Sequence, residues 1–233
     1  MLTAHFKFYG SLNDFLPAKN KDLWITYSFD YSPAIKDAVE AIGIPHTEIN
    51  EIFINGNPVT PKHSLFANDT VEVHPFTHVH FSPQKFILDV HLGKLAKLLR
   101  LLGFDALYQN DYTDKDIVSI AKEQERIVLT RDIGLLKHKA IKWGYWLRSQ
   151  ISAAQAKEVI QRFALADLMN PFTRCLVCNG VIEKIDKEKI IKQLPPNTII
   201  YFNEFYHCPN CKKIYWKGSH YERMIQMVGA MIK

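Results

Sequence analysis

Two Cys-x-x-Cys pairs, Cys175/Cys178 and Cys208/Cys211, account for every cysteine in the chain. No other feature constrains the fold as strongly. Each pair presents two thiolates from one tight turn, and two pairs complete a closed tetrahedral site. Paired knuckles of this kind point to metal rather than to disulfides. The expected ion is structural zinc, held by all four sulfurs with no open position for catalysis. The gap between the pairs (179–207) fits a zinc ribbon carrying an inserted β-hairpin. Within it Thr198–Phe202 reads as β-rich, and a last helix is expected from Ser219. His207 and His220 are spare.

The first residues, MLTAHFKFYGSL, lack the basic stretch and apolar core of a signal peptide. No run approaches the roughly 18 apolar residues of a membrane helix. The expected location is the cytoplasm, with no membrane partner. The net charge of +5 is uneven. Residues 1–80 carry five Lys/Arg and nine Asp/Glu, whereas 81–233 carry 24 and 15. A basic back half fits phosphate-rich ligands such as RNA, because Lys and Arg displace counterions from nucleic acid; a merely solvated surface fits the count as well.

Residues 1–80 read as a small α+β unit. Strands are expected at His5–Tyr9, Leu23–Phe29, Glu51–Ile54 and Thr70–His74, with Asn55-Gly56 as a hairpin turn. A helix from Ser32 (N-cap) and Pro33 to Ala41 ends at Gly43. This order resembles the ubiquitin-like β-grasp domain, and the segment IFINGNPVTPKHSLFANDTVEVHP is most similar to the sulfur-carrier type. Sulfur carriers end in a free Gly-Gly. Here Val73-His74-Pro75-Phe76 stands at that point, inside a longer chain, so docking to a protein partner is expected instead of carrier chemistry. Thr77–Lys85 reads as a linker.

From there strands alternate with helices, which means a parallel sheet. FILDV (86–90) and IVLT (127–130) read as buried strands, with shorter ones at Ala106–Tyr108 and Gly144–Leu147. Helices are expected at His91–Leu102, stopped by Gly103, at Thr113–Gln124, from Leu135, and at Ser152–Phe163. Ligands of open parallel sheets bind beyond the carboxyl ends of the strands. Asp89 and Asp132 stand at two such ends. Asp114 opens the helix between them, and Asp116 is a reserve candidate for that middle position. Clustered carboxylates repel unless a cation neutralises them, and hard oxygen donors suit Mg²⁺ or Mn²⁺. Acids at strand ends also serve as helix caps.

The run FILDVHLGKLAKLLRLLGFDALY…DKDIVSIAKEQERIVLTRD is similar to the PIN-like ribonuclease domain at the C-terminus of Mut-seven type exonucleases. The tail YWKGSHYERM resembles the end of the same family's zinc ribbon. The resemblance implies an α/β fold: a β-grasp domain (1–80), a PIN-like nuclease domain (81–165) and a zinc-ribbon module with a final helix (166–233). It implies a metal-dependent ribonuclease with catalytic acids at Asp89, Asp114 and Asp132. Lys94, Lys97 and Arg100, spaced by three on the first helix, and Arg131 are candidates to grip phosphate. Lys94, Lys97 and Arg100 equally suit the polar face of an amphipathic helix. His220 and Arg223 are candidate RNA contacts, while Ser219 and Glu222 fit a capping box. Many PIN domains carry one more acid after the last Asp, but here the chain reads Ile133-Gly134-Leu135-Leu136. The alternative is therefore a non-catalytic RNA-binding factor, associated with tRNA or the ribosome, that keeps the fold without the chemistry.

Overall fold

The computed structural model describes residues 1–76 and 84–232, so most of the expected linker lies outside the described residues. Two compact units emerge, Met1–Val79 with Val118–Trp146, and His80–Ile117 with Leu147–Lys233.

In the first unit, strands β1 (Leu2–Phe8), β2 (Ile25–Phe29), β3 (Ile49–Ile54), β4 (Asn57–Val59) and β5 (Thr70–Pro75) form one sheet in the order β2-β1-β5-β3-β4. β1 and β5 run parallel at its centre. Alternation along β1 turns Ala4, Phe6 and Phe8 inward, onto Ile35, Ala38 and Val39 of helix α1 (Ile35–Ile42). This is the ubiquitin-like β-grasp arrangement. Asn55 and Gly56 take φ of 51° and 79°, as the two-residue hairpin requires.

Helix α1 starts later than its sequence suggests. Ala34, not Ser32, stands at the N-cap, and no side chain caps the helix. Ala34 instead bridges Ser64, while the Ile35 and Lys36 N–H groups donate to the carbonyls of His63 and Pro61. A neighbouring loop thus satisfies donors that a serine would otherwise serve.

The same unit holds most of α3 (Asp114–Glu123), then β8 (Ile127–Thr130), α4 (Ile133–Leu136) and β9 (Gly144–Trp146), with β8 and β9 parallel. The β-grasp residues grip this segment. Buried Glu48 accepts the Trp146 backbone N–H at 2.8 Å. His46 Nε2 lies 2.8 Å from the Ile141 carbonyl, and Lys137 Nζ donates to the Glu40 carbonyl at 2.7 Å. The Phe15 and Trp146 rings pack at 5.0 Å.

In the second unit, β6 (Lys85–Leu88) pairs parallel with β7 (Asp105–Leu107). Helix α2 (Gly93–Leu101) buries Leu95, Ala96 and Leu99, and α5 (Ser152–Arg162) buries Ala156, Val159 and Ile160. Phe86 packs edge-on against Phe104 and Phe163. The tail forms an antiparallel ribbon of β10 (Glu183–Ile185), β11 (Phe205–His207) and β12 (Ile214–Trp216), followed by α8 (Ser219–Ile232). Between β10 and β11 lie two short helices, α6 (Lys187–Ile190) and α7 (Pro196–Tyr201), in place of the expected hairpin. The β-branched run at 198–202 is overruled because Pro196 presets the first helical turn, and Thr198 and Ile199 donate back to the Pro195 carbonyl. Among the described residues, no helix is long and apolar enough to cross a membrane.

Gly103 stops α2 at φ 94°. A Cβ there would collide with the Asn170 carbonyl oxygen and lie 2.7 Å from its carbon. We predict that Gly103→Ala costs about 2–5 kcal/mol, from left-handed backbone strain plus overpacking. Gly229→Ala, with nothing within 4 Å, should instead gain up to about 1 kcal/mol. Urea unfolding of the two variants reads both effects, and equal midpoints would refute them.

Candidate functional site

The four cysteines form one cluster. Their sulfurs all lie within 4.8 Å of one another, and among the described residues no other group of three or more potential ligands is so placed. Cys175–Cys211 and Cys178–Cys208 approach to 3.5 and 3.3 Å, as free thiols. A tetrahedral ion with metal–sulfur bonds of about 2.3 Å needs edges of about 3.8 Å, so the set fits one ion after small adjustments.

The two knuckles repeat one backbone design. The Asn179 N–H donates to the Cys175 carbonyl and the Lys212 N–H to the Cys208 carbonyl. The Cys175 and Cys208 N–H groups donate to the Gly180 and Lys213 carbonyls. Asn179 and Lys212 occupy the same left-handed position, at φ 68° and 62°. Burial opposes ionisation of Cys175, but hydrogen bonds from Tyr215 and from the Cys178 and Val177 N–H groups outweigh it and bring its thiol to about 6. Burial raises Cys178 to about 12.

Arg100 explains how the first knuckle is held. Sequence spacing put it on a phosphate-gripping stripe with Lys94 and Lys97, yet it is 3% exposed. Its Nε donates to the Ala106 carbonyl, and its Nη1 to the carbonyls of Leu176 and Val177 inside the knuckle. Burial lowers its pKa, and negative charge on the Cys175 and Cys178 sulfurs opposes that shift. Arg100 is therefore a tie between α2, β7 and the cysteine cluster rather than a surface RNA contact. Asn179 adds a second tie, accepting the Ala106 N–H and donating to Asp105. Lys94 and Lys97 are exposed.

The acids occupy the strand and helix ends read from the sequence. Asp89 follows β6, half-buried, and its Oδ1 accepts the Val90 N–H at 2.6 Å. Asp132 follows β8, exposed, and its Oδ1 accepts the Gly134 N–H at 2.7 Å. Fully buried Thr130 accepts the Asp132 N–H at 2.8 Å, and the Trp146 indole donates to the Arg131 carbonyl at 3.1 Å. Asp114 is exposed at the start of α3. Arg131, His220 and Arg223 are exposed as well.

Asp116 has another job. Its carboxylate accepts both the N–H and the hydroxyl of Thr113, and its own N–H donates back to Thr113 Oγ1, which makes a capping box. The hydroxyl and N–H of Thr113 hold this carboxyl below its ordinary pKa. Its contribution is thus present at neutral pH and is lost as pH falls through that depressed value. Thr113→Ala is expected to cost about 1 kcal/mol, read as a lower thermal midpoint at pH 7. An unchanged midpoint would exclude the cap.

The fold and site define a class: a ubiquitin-like β-grasp unit joined to an α/β domain with acids at its strand ends and a four-cysteine ribbon. Residues 84–228 match the family model described as the Mut7-C RNAse domain, and residues 1–80 match the Mut7-C ubiquitin model. The chain belongs to the Mut7-C RNAse family. No curated protein matches it in sequence. A solved structure, "Crystal structure of H. volcanii small archaeal modifier protein 1", is similar at 14% identity and TM-score 0.26, covering 32% of this chain and 98% of that one.

Proposed function

We propose that this protein is a metal-dependent ribonuclease that hydrolyses RNA phosphodiester bonds. The observation that carries the reading is the RNAse family match over residues 84–228. The oxygens assigned to Mg²⁺ or Mn²⁺ are those of Asp89, Asp114 and Asp132, hard donors of the kind these ions take. Such an ion, when bound, lowers the pKa of a water and braces the scissile phosphate. The chain's own part is orientation. One oxygen of Asp89 and one of Asp132 are held by a backbone N–H, and Thr130 fixes the turn that carries Asp132. Lys94, Lys97 and Arg131 are assigned to substrate phosphates, and His220 and Arg223 to more distant RNA contacts.

The cysteine cluster is assigned to structural zinc. The β-grasp unit is assigned to contact with a protein partner, and the location to the cytoplasm. One observation favours a second reading: Ile133–Leu136 carries no carboxylate, which suits an RNA-binding factor without activity. Incubating end-labelled single-stranded RNA and tRNA with the purified, zinc-loaded chain in Mn²⁺, in Mg²⁺ or with no added divalent ion separates the two. Cleavage that requires the ion supports the enzyme. Binding without cleavage under either ion selects the second reading.

A further inference from the structure

Aromatic rings converge in the ribbon on a cleft of about 280 Å³ that shares Tyr215 with the surroundings of the cysteine cluster and that the proposed cleavage chemistry does not use. Phe172, Tyr206, Tyr215, Trp216 and Tyr221 line it, with the cations of Arg174 and Lys217. Two of the hydroxyls are already committed. Tyr215 Oη lies 3.0 Å from Cys175 Sγ and accepts the Leu176 N–H, and Tyr206 donates to Glu204 at 2.8 Å. These rings therefore offer π surface more than hydrogen bonds. Lys217 is held by Glu204 at 2.8 Å, with its Nζ 6.0 Å from the centre of the Tyr221 ring. Phe172 packs on Tyr221 at 4.7 Å and is kept at φ 64°, a conformation that bulky residues avoid and that recurs at ligand clamps.

The volume falls just under the range of about 300–1,000 Å³ for drug-sized ligands, which suits one planar group. The surroundings favour an anionic ligand, since residues 166–233 hold ten Lys/Arg against six Asp/Glu. Unpaired RNA bases are recognised by splaying out and stacking on aromatic side chains. We propose that this cleft is a nucleobase subsite. It takes one unpaired base of an RNA strand, and the exposed Lys212, Lys213 and Arg223 on the flanking segments serve the strand's phosphates. The proposal rests on the reading of this family member as an RNA-handling protein, but not on its cleaving anything.

The chain has four tryptophans, so a ¹⁵N-labelled sample gives four indole signals to follow during titration. Adenosine 5′-monophosphate should shift the Trp216 signal, and ribose 5-phosphate, which lacks the base, should leave it in place. Tyr221→Leu should weaken the mononucleotide by about fivefold or more, as loss of one base–aromatic stack does. Equal shifts with both ligands, or no Trp216 shift at millimolar mononucleotide, would overturn the subsite without any variant being needed. A Trp216 shift with N-acetyl-tyrosinamide but not with the mononucleotide would give the cleft to a peptide and overturn it too. RNA cleavage without a base-dependent shift sinks the subsite alone. A base-dependent shift without cleavage keeps the subsite and sinks the nuclease reading.

Discussion

Asp132→Asn is expected to lower ion-dependent RNA cleavage by at least about 10²-fold, the scale on which losing one preorganised electrostatic group at a reacting centre is felt. The substitution keeps the shape and an acceptor oxygen for the Gly134 N–H, and it removes only the charge. Asp132 is exposed, so the change should leave the unfolding midpoint nearly unmoved. RNA affinity measured with no added Mg²⁺ or Mn²⁺ should also hold, because the proposed grip comes from lysines and arginines. Asp89→Asn and Asp114→Asn should behave alike, whereas Asp116→Asn should retain cleavage, since that carboxylate is spent on the helix cap. Undiminished cleavage by Asp132→Asn would remove this acid from the chemistry. Cleavage that disappears together with the folded state would point to a structural role.

Loss of the zinc proposed for the cysteine cluster should have the second large effect. Structural zinc contributes about 10–16 kcal/mol of apparent binding free energy in small zinc modules, and that energy is folding energy. In the ribbon, Ile190, Leu194 and Phe205 are buried in one apolar cluster, with Ile185, Ile199, Phe202, Ile214 and Trp216 partly buried against it. Cys175→Ser, or exhaustive chelation, should abolish one equivalent of zinc per chain, read by elemental analysis. It should also remove the near-ultraviolet dichroism of Tyr215 and Trp216 on β12. Loss should spread inward through Arg100, which would keep its charge while losing the knuckle carbonyls of Leu176 and Val177. A buried charge deprived of its acceptors is costly. An apo chain with the same melting curve and the same dichroism as the zinc-loaded one would show that the cluster is not a structural metal site.

The features legible in the sequence are those whose causes lie within a few residues along the chain. The leucine spacing of α2 and its stop at Gly103, the Asn55-Gly56 turn, the paired knuckles and the acids that follow β6 and β8 all follow from local geometry. A helical period, a left-handed turn or a two-thiolate loop carries its signature in the residue types themselves. What only the tertiary structure decided are the partners of polar groups. Spacing alone put Arg100 with Lys94 and Lys97, but its guanidinium reaches carbonyls 76 and 77 residues away. Nothing near Ser32 indicates that carbonyls of the 61–63 loop will cap α1 in its place. No motif pairs Glu48 with Trp146, 98 residues on, or gathers the rings of Phe172, Tyr206 and Tyr221 around one cleft. A buried donor must find an acceptor wherever the folded chain supplies one. Sequence spacing shows the need for that acceptor, and only the packed structure shows where it is met.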